Sequence, residues 1–369
     1  SDPSLSPMEV WSNESQERYV LAIKPENKDI FKNICRRERC PVAFVGETTS
    51  LDSVEVYDPD RDEHPVNVPL SMLFGDLPIK DMVLQNTPTN TIKKPDVVDP
   101  DLDLAEVIQR VLSHPSVASK SFLITIGDRT VGGLVAQDQF VGRHQIPTSN
   151  YSMSARSFLS NKGEVLSIGE KPTIAIQNPA ASLRMALAEA LMNLVSVPIV
   201  SIDLVRLSAN WMAACGDSQD DYDLRLGVEA VSDMCVQLGI AIPVGKDSLS
   251  MRTSWSEGEE NFEVKSPLSG VITAMAPVPD ISEAITTELH LEGSSDFYHL
   301  SLSKKTRMGG SIFEEVTSSS IHETPDIEDI QAFKKLFNCL QELISWKWIT
   351  SLHDVSDGGL LTTLAEFSF

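Results

Sequence analysis

Asn178-Pro-Ala-Ala-Ser-Leu-Arg-Met-Ala-Leu-Ala-Glu-Ala-Leu-Met-Asn-Leu-Val195 is the stretch from which the rest of the chain is best read. Asn178 offers an N-cap oxygen, and Pro179 falls at the first helical position, where a missing N–H costs nothing. Leu183, Leu187, Ala190, Leu191 and Leu194 recur at helical spacing, which predicts a helix from Ala180 to about Val195, with Pro198 just beyond it. Glu189 and Asn193 stand four apart and project from one face beside that apolar stripe. Two oxygen donors on a rigid helix suit Mg²⁺, which takes one or two carboxylates and completes its octahedron with phosphates and water. The same spacing also fits a solvated acid and a helix-end amide, and such pairs are common.

Outward from this helix, apolar patterns of two kinds alternate. Phe122–Ile126 reads as a strand, and Val131–Val135, with Gly132 and Gly133 inside it, as a second. Helical spacing covers Leu104 to Leu112, and also Tyr222–Leu238, which stops at Gly239. Gly270–Met275 and Phe297–Leu302 read as strands, Ile327–Ile344 as a long amphipathic helix, and Leu360–Phe369 as helix-like. Such alternation predicts an α/β chain built of α+β layers. Asn86 to Asp103 carries Pro88, Pro95 and Pro100 without apolar periodicity and reads as a linker. Before it, strand-like runs (Tyr19–Ile23, Val42–Val45, Val54–Val56) and a helical stretch around Phe31–Arg39 suggest a small α/β unit.

A length of 369 residues implies two or three domains. Hydrophobic residues make up 41% and charged residues 22%, the balance of a globular protein. The apolar runs fall far short of the roughly 20 residues a membrane span needs. A net charge of −23 argues against nucleic acid, whose phosphates need a positive field. It leaves room for a phosphate-bearing small molecule bridged to carboxylates by a divalent cation. The five cysteines (Cys35, Cys40, Cys215, Cys235, Cys339) lack zinc spacing and read as free thiols, which points to a cytoplasmic location. Ser1-Asp-Pro-Ser4 and Phe367-Ser-Phe369 read as cuts within a longer polypeptide.

His353-Asp-Val-Ser-Asp-Gly-Gly359 is the other stretch with chemistry in it. Ser356 or Asp357 can cap the helix that follows, and the N–H groups beside Gly358 and Gly359 make a place for an anion. Asp354 is then available to a metal and Ser356 to phosphate oxygens; a plain capped turn explains the string equally well. His353 reads as a packed or hydrogen-bonded side chain, since no nucleophile adjoins it. Gly245-Lys-Asp-Ser248 lacks the upstream glycine of a phosphate loop. Lys120 is ordinary in isolation, and no nucleophile elbow or Ser-His-Asp order occurs.

Several strings taken together resemble phosphoribosylformylglycinamidine synthase (formylglycinamide ribonucleotide amidotransferase) in its large single-chain form. They are Leu5-Ser-Pro-Met-Glu-Val-Trp11 with Asn13-Glu-Ser-Gln-Glu-Arg-Tyr19, Cys35-Arg-Arg-Glu-Arg-Cys-Pro41, and Thr125-Ile-Gly-Asp-Arg-Thr-Val-Gly-Gly-Leu-Val-Ala-Gln-Asp-Gln139. Ala188–Leu194, Ser208-Ala-Asn-Trp-Met212, Gly245–Met251 and His353–Leu360 complete the set, in the family's order and across essentially the whole chain. The resemblance implies aminoimidazole-ribonucleotide-synthetase-like A and B domains, truncated at both ends. Residues 1–96 would be the C-terminal part of a first B domain plus linker, 97–265 a second A domain, and 266–369 the N-terminal part of a second B domain.

It also implies an ATP-dependent carbon–nitrogen ligase with glutamine as amide donor. Such an enzyme converts formylglycinamide ribonucleotide to formylglycinamidine ribonucleotide in purine biosynthesis. The fragment would depend on the remaining domains of the same polypeptide, the first synthetase half and the glutaminase. Its expected ligands are ATP or ADP with Mg²⁺. Carried over by position, Glu189, Asn193 and Asp354 resemble the magnesium ligands, and Lys120, Ser149 and Ser356 the nucleotide contacts. Asn150 stands where the family usually has aspartate; an amide oxygen still ligates Mg²⁺, with weaker affinity expected. No histidine-rich Glu-Thr-His-Asn-His segment and no glutaminase cysteine occur, so no catalytic residue is assigned here and the isolated piece is expected to be inactive. The rival readings are a non-catalytic nucleotide-binding homologue or scaffold, and another synthetase of the same ATP-binding superfamily.

Overall fold

The computed structural model describes residues 4–11, 13, 18–76, 84, 96–130, 132–289, 295–355 and 357–369. Two compact units divide the chain, Ser1–Met82 and Val83–Phe369.

In the first unit, α1 (Pro7–Trp11) and α2 (Lys28–Arg37) precede an antiparallel hairpin, β1 (Ser53–Asp58) with β2 (Glu63–Pro69), and then α3 (Leu70–Phe74). Strands expected at Tyr19–Ile23 and Val42–Val45 do not form, and Val20 and Val45 lie almost fully exposed. A strand needs a neighbour to take its N–H and C=O groups, and among the described residues these runs have none. Val54–Val56 does become strand because β2 pairs with it, Val54 opposite Val68 and Val56 opposite Val66.

The second unit opens with α4 (Leu104–Ser113) and α5 (Ser121–Ile126), followed by β3 (Val135–Gln137), β4 (Ser152–Ser157) and β5 (Ser160–Gly169). Next come α6 (Pro172–Ala175), α7 (Pro179–Leu194), β6 (Arg206–Met212), α8 (Ser218–Leu238) and β7 (Ala241–Ser248). A hairpin of β8 (Arg252–Glu257) and β9 (Glu260–Lys265) leads into β10 (Ser269–Val278), and α9 (Ile312–Thr317), α10 (Ile330–Ser345) and α11 (Gly359–Phe367) close the chain. Six strands form one sheet in the order β3-β4-β5-β10-β6-β7, antiparallel except for the β6–β7 pair. The mixed α/β layering therefore holds, with helices α7 and α8 stacked on the sheet.

The core explains the helices. α7 buries Leu183, Leu187, Ala190, Leu191 and Leu194, as the stripe predicts, and adds Ala181, Ser182, Ala186 and Ala188. Strand β5 alternates in step, turning Val165 and Ser167 inward and Leu166 and Ile168 outward. α8 ends where Gly239 takes φ 78°, and Phe333 and Phe337 of α10 join the same core. A second, smaller cluster joins Val107 and Val111 of α4 to Ile312 and Val316 of α9.

Three expected strands fail here. Phe122–Ile126 lies within helix α5, where none of its side chains is buried. With no sheet alongside, a helix satisfies these backbone groups locally. Of Val131–Val135, only Val135 enters β3; Val131 lies outside the described residues, and Gly132 and Leu134 have positive φ. Phe297–Leu302 is irregular, with Phe297 and Tyr298 exposed.

Candidate functional site

Helix α7 approaches the end of β5 closely because of one residue. A Cβ on Gly169 would overlap the Ala186 carbonyl and press on Ala190 N and Glu189 Cβ, so only glycine admits the contact. Glu189 and Asn193 both face the chain as it leaves β5. Asn193 Nδ2 donates to the Ile168 carbonyl at 3.0 Å, and Glu170 N–H donates to Glu189 Oε2 at 2.7 Å. Their common face is thus the one facing the strand end.

Lys171 completes the arrangement. Its backbone carbonyl accepts from Ser182 Oγ at 2.5 Å, and its Nζ reaches Glu189 Oε1 at 2.5 Å. Ser182 and Glu189 are seven residues apart, so Lys171 lies along two turns of one α7 face. The same Nζ donates to Asp357 Oδ1 at 3.1 Å. The Lys171 and Glu189 side chains are only 12% and 10% exposed. Burial works against the lysine's charge, but Glu189 and Asp357 outweigh it and hold the pKa above the ordinary value. Neither Lys171 nor this role for Asp357 was legible as chemistry; the only local hint was a basic residue between Glu170 and Pro172.

Asp357 does not cap α11. Gly358 takes the N-cap position at φ 86° with no side-chain cap, and a Cβ there would overlap Thr362 Oγ1. Upstream in the same loop, Asp354 has a positive partner of its own. His353 Nδ1 is 3.0 Å from Asp354 Oδ1, and its Nε2 is 2.8 Å from Glu366 Oε2 on α11. The imidazole is 7% exposed, and the Phe367 ring meets it edge-on. Burial favours the neutral ring, yet hydrogen bonds and charge from Asp354 and Glu366 prevail and raise its pKa to about 9.

The remaining expected residues fall as follows. Asn150 is half-buried, with an Nδ2 that has no hydrogen-bond partner. β4 begins two residues after Asn150, where Ser152 pairs with Leu166 of β5. Ser149 donates its Oγ to the Tyr151 carbonyl at 2.6 Å. Lys120 is exposed and donates to the Ala118 carbonyl at 2.9 Å. Ser356 lies outside the described residues. Lys246 and Asp247 do not pair with each other; Lys246 Nζ donates to Ser248 Oγ at 2.8 Å in β7.

Among the described residues, no group of three or more His, Cys, Asp or Glu stands ready to hold a metal ion. The chemistry that does fit a hard cation is oxygen: Asn193 Oδ1 is buried beside Glu189 without a hydrogen-bond partner. A cleft of about 310 Å³ lies instead at the start of α8, lined by Ala213, Asp220, Asp223, Lys265 and Leu268, and touches none of the expected site residues. Its lysine, Lys265, is already paired there with Asp217 and Asp220. All five cysteines are free. Burial, then a hydrogen bond to Asp221, pushes the Cys215 thiol up to about 11, and burial does the same to Cys235, so neither is a ready nucleophile. No helix among the described residues is long and apolar enough to cross a membrane.

Two family models match this chain. The FGAR-AT PurM_N-like domain matches residues 119–277, and the C-terminal domain of AIR synthase related proteins matches residues 1–59 and 300–369. Among solved structures, PurLQS from Thermotoga maritima is 17% identical, with 77% of this chain and 41% of that one covered and a TM-score of 0.52. T. maritima PurL complexed with FGAR is 14% identical, covering 88% of this chain and 42% of that one, with a TM-score of 0.51. T. maritima PurL complexed with ADP is 17% identical, covering 79% and 45%, with a TM-score of 0.50. The chain spans less than half the length of these structures. The fold is that of the AIR-synthase-related proteins, with a PurM_N-like and a C-terminal type of domain. The PurL structures from Thermotoga maritima share that fold at low sequence identity.

Proposed function

We propose that this chain is the part of a formylglycinamide ribonucleotide amidotransferase that holds a nucleotide with Mg²⁺ in the second half of the synthetase core. The observation that carries the reading is the single α7 face on which Glu189 and Asn193 meet the end of β5, with the 353–358 loop reaching the same carboxylate through Asp357 and Lys171. Solved PurL complexes with ADP and with FGAR share the fold and lend support. On this reading, residues 1–96 end a first B domain, 97–265 form a second A domain and 266–369 begin a second B domain. The separation of the two AIR synthase related matches by the PurM_N-like match agrees with that order.

Glu189, Asn193 and Asp354, with Asn150, would hold the cation through oxygen. Bound there, the cation would neutralise phosphate oxygens of the nucleotide. The chain's own contribution is positional: Glu170 N–H fixes one Glu189 oxygen, Ile168 fixes the Asn193 amide with Oδ1 turned away, and His353 fixes Asp354. Lys120, Ser149 and Ser356 are assigned to the nucleotide. The amidine-forming step needs the remaining domains and a glutamine-derived ammonia.

Calorimetric titration of the chain with ADP in Mg²⁺ tests the reading. One nucleotide should bind, and Glu189→Gln should abolish binding while Asn150→Asp tightens it. A folded chain that binds no nucleotide at millimolar Mg²⁺ defeats the proposal.

A further inference from the structure

The inference drawn here rests on the nucleotide–metal reading and adds a component to it. Both oxygens of Glu189 are already engaged by one short segment, Oε2 by the Glu170 N–H and Oε1 by the Lys171 ammonium. An ammonium at 2.5 Å and a hard cation at its usual ~2.0–2.1 Å cannot share the same lone pair of Oε1. Each carboxylate oxygen keeps a second lone pair, so the competition is one of charge: a divalent cation on Glu189 meets the ammonium at close range and drives it off. The lysine cannot drift far, because the buried Ser182 hydroxyl holds its carbonyl on α7. Once displaced, the ammonium is a tethered positive charge beside an incoming divalent one. That arrangement repels a bare cation and tolerates a cation that arrives with anionic oxygens for the ammonium to meet.

We infer that Lys171 is an internal competitor for the metal position at Glu189, one that makes divalent-cation binding depend on a polyphosphate ligand. The lysine thereby acts as a specificity-determining residue for the metal–nucleotide complex over the free ion. Asp357 is the second anchor of the competitor, which ties the 353–358 loop to the same exchange.

Mn²⁺ titration followed by electron paramagnetic resonance, on the 369-residue chain with and without ADP, tests this. Lys171→Gln should bind Mn²⁺ without nucleotide at least about tenfold more tightly than wild type, and ADP should then improve its Mn²⁺ affinity less. Lys171→Arg keeps the charge and should behave as wild type. A melting series guards against misfolding: a loss of Tm in Lys171→Gln that added Mn²⁺ restores supports competition. An equal loss with and without Mn²⁺ shows a merely structural lysine and overturns it. Unchanged or weaker Mn²⁺ binding by folded Lys171→Gln, with Glu189→Gln still abolishing binding, sinks the inference and leaves the nucleotide reading standing. Failure of wild type and Lys171→Gln alike to bind Mn²⁺ with ADP sinks both.

Discussion

Glu189 and Asp354 are both withdrawn from solvent, and the fold answers both with a cation of its own, but of different kinds. Glu189 meets an ammonium whose charge its neighbours reinforce above the ordinary lysine range. Asp354 meets an imidazole held charged up to about pH 9, a proton that mild alkali removes. One counter-charge is permanent across the working range of a protein and the other can be switched off. Two carboxylates placed in similar surroundings are therefore expected to respond differently to mutation and to pH.

The largest effect should come from breaking the permanent pair. Glu189→Ala removes the nearest counter-charge of the largely buried Lys171 and should cost roughly 3–5 kcal/mol in chemical denaturation. Asp354→Ala should cost clearly less above pH 9, where His353 has shed its charge; equal costs at that pH would erase the distinction between the two centres.

Next in size is the pH dependence of the histidine centre. The folded pKa of about 9 lies above the unfolded value of 6.5, so protonation favours the folded state. Its contribution, roughly 3 kcal/mol, is fully present below pH 6.5, declines from there to pH 9 and is lost above. Denaturation midpoints across that window should fall in wild type and flatten in His353→Gln. A smaller loss, about 1 kcal/mol, is expected for Tyr151→Phe. The buried Tyr151 hydroxyl donates to the Ile285 carbonyl at 3.0 Å, next to Asn150, without joining either charged pair. The slightest perturbation should be thiol alkylation at pH 8. Exposed Cys40 and Cys339 should react first and leave both centres intact, while Cys215 and Cys235, with thiols held near 11, lag behind.

How much of this was readable beforehand differs by scale. Helix α7 was legible almost to the residue, since its cap, its proline and its apolar period are all local signals. The loop before α11 was legible as a turn leading into a helix, but Asp357, one of the two caps offered, does not cap it. The acid there is drawn to Lys171, 186 residues away in the chain, and Gly358 is left to take the cap. Phe122–Ile126 and Phe297–Leu302 carry strand-like composition and no strand, because β composition describes a half-buried pleated surface that must exist elsewhere first.

From the amino-acid order alone came the helices with their own caps and stripes, the acidic character, and the pairing of Glu189 with Asn193 on one helical face, because all of these depend on residues within a few positions of one another. The tertiary structure alone decided which charges neutralise which. Lys171 is joined to Glu189 and Asp357, and His353 to Glu366 as well as its neighbour, only once β5, α7 and α11 are packed. Coulomb attraction falls with distance through space and takes no account of distance along the chain.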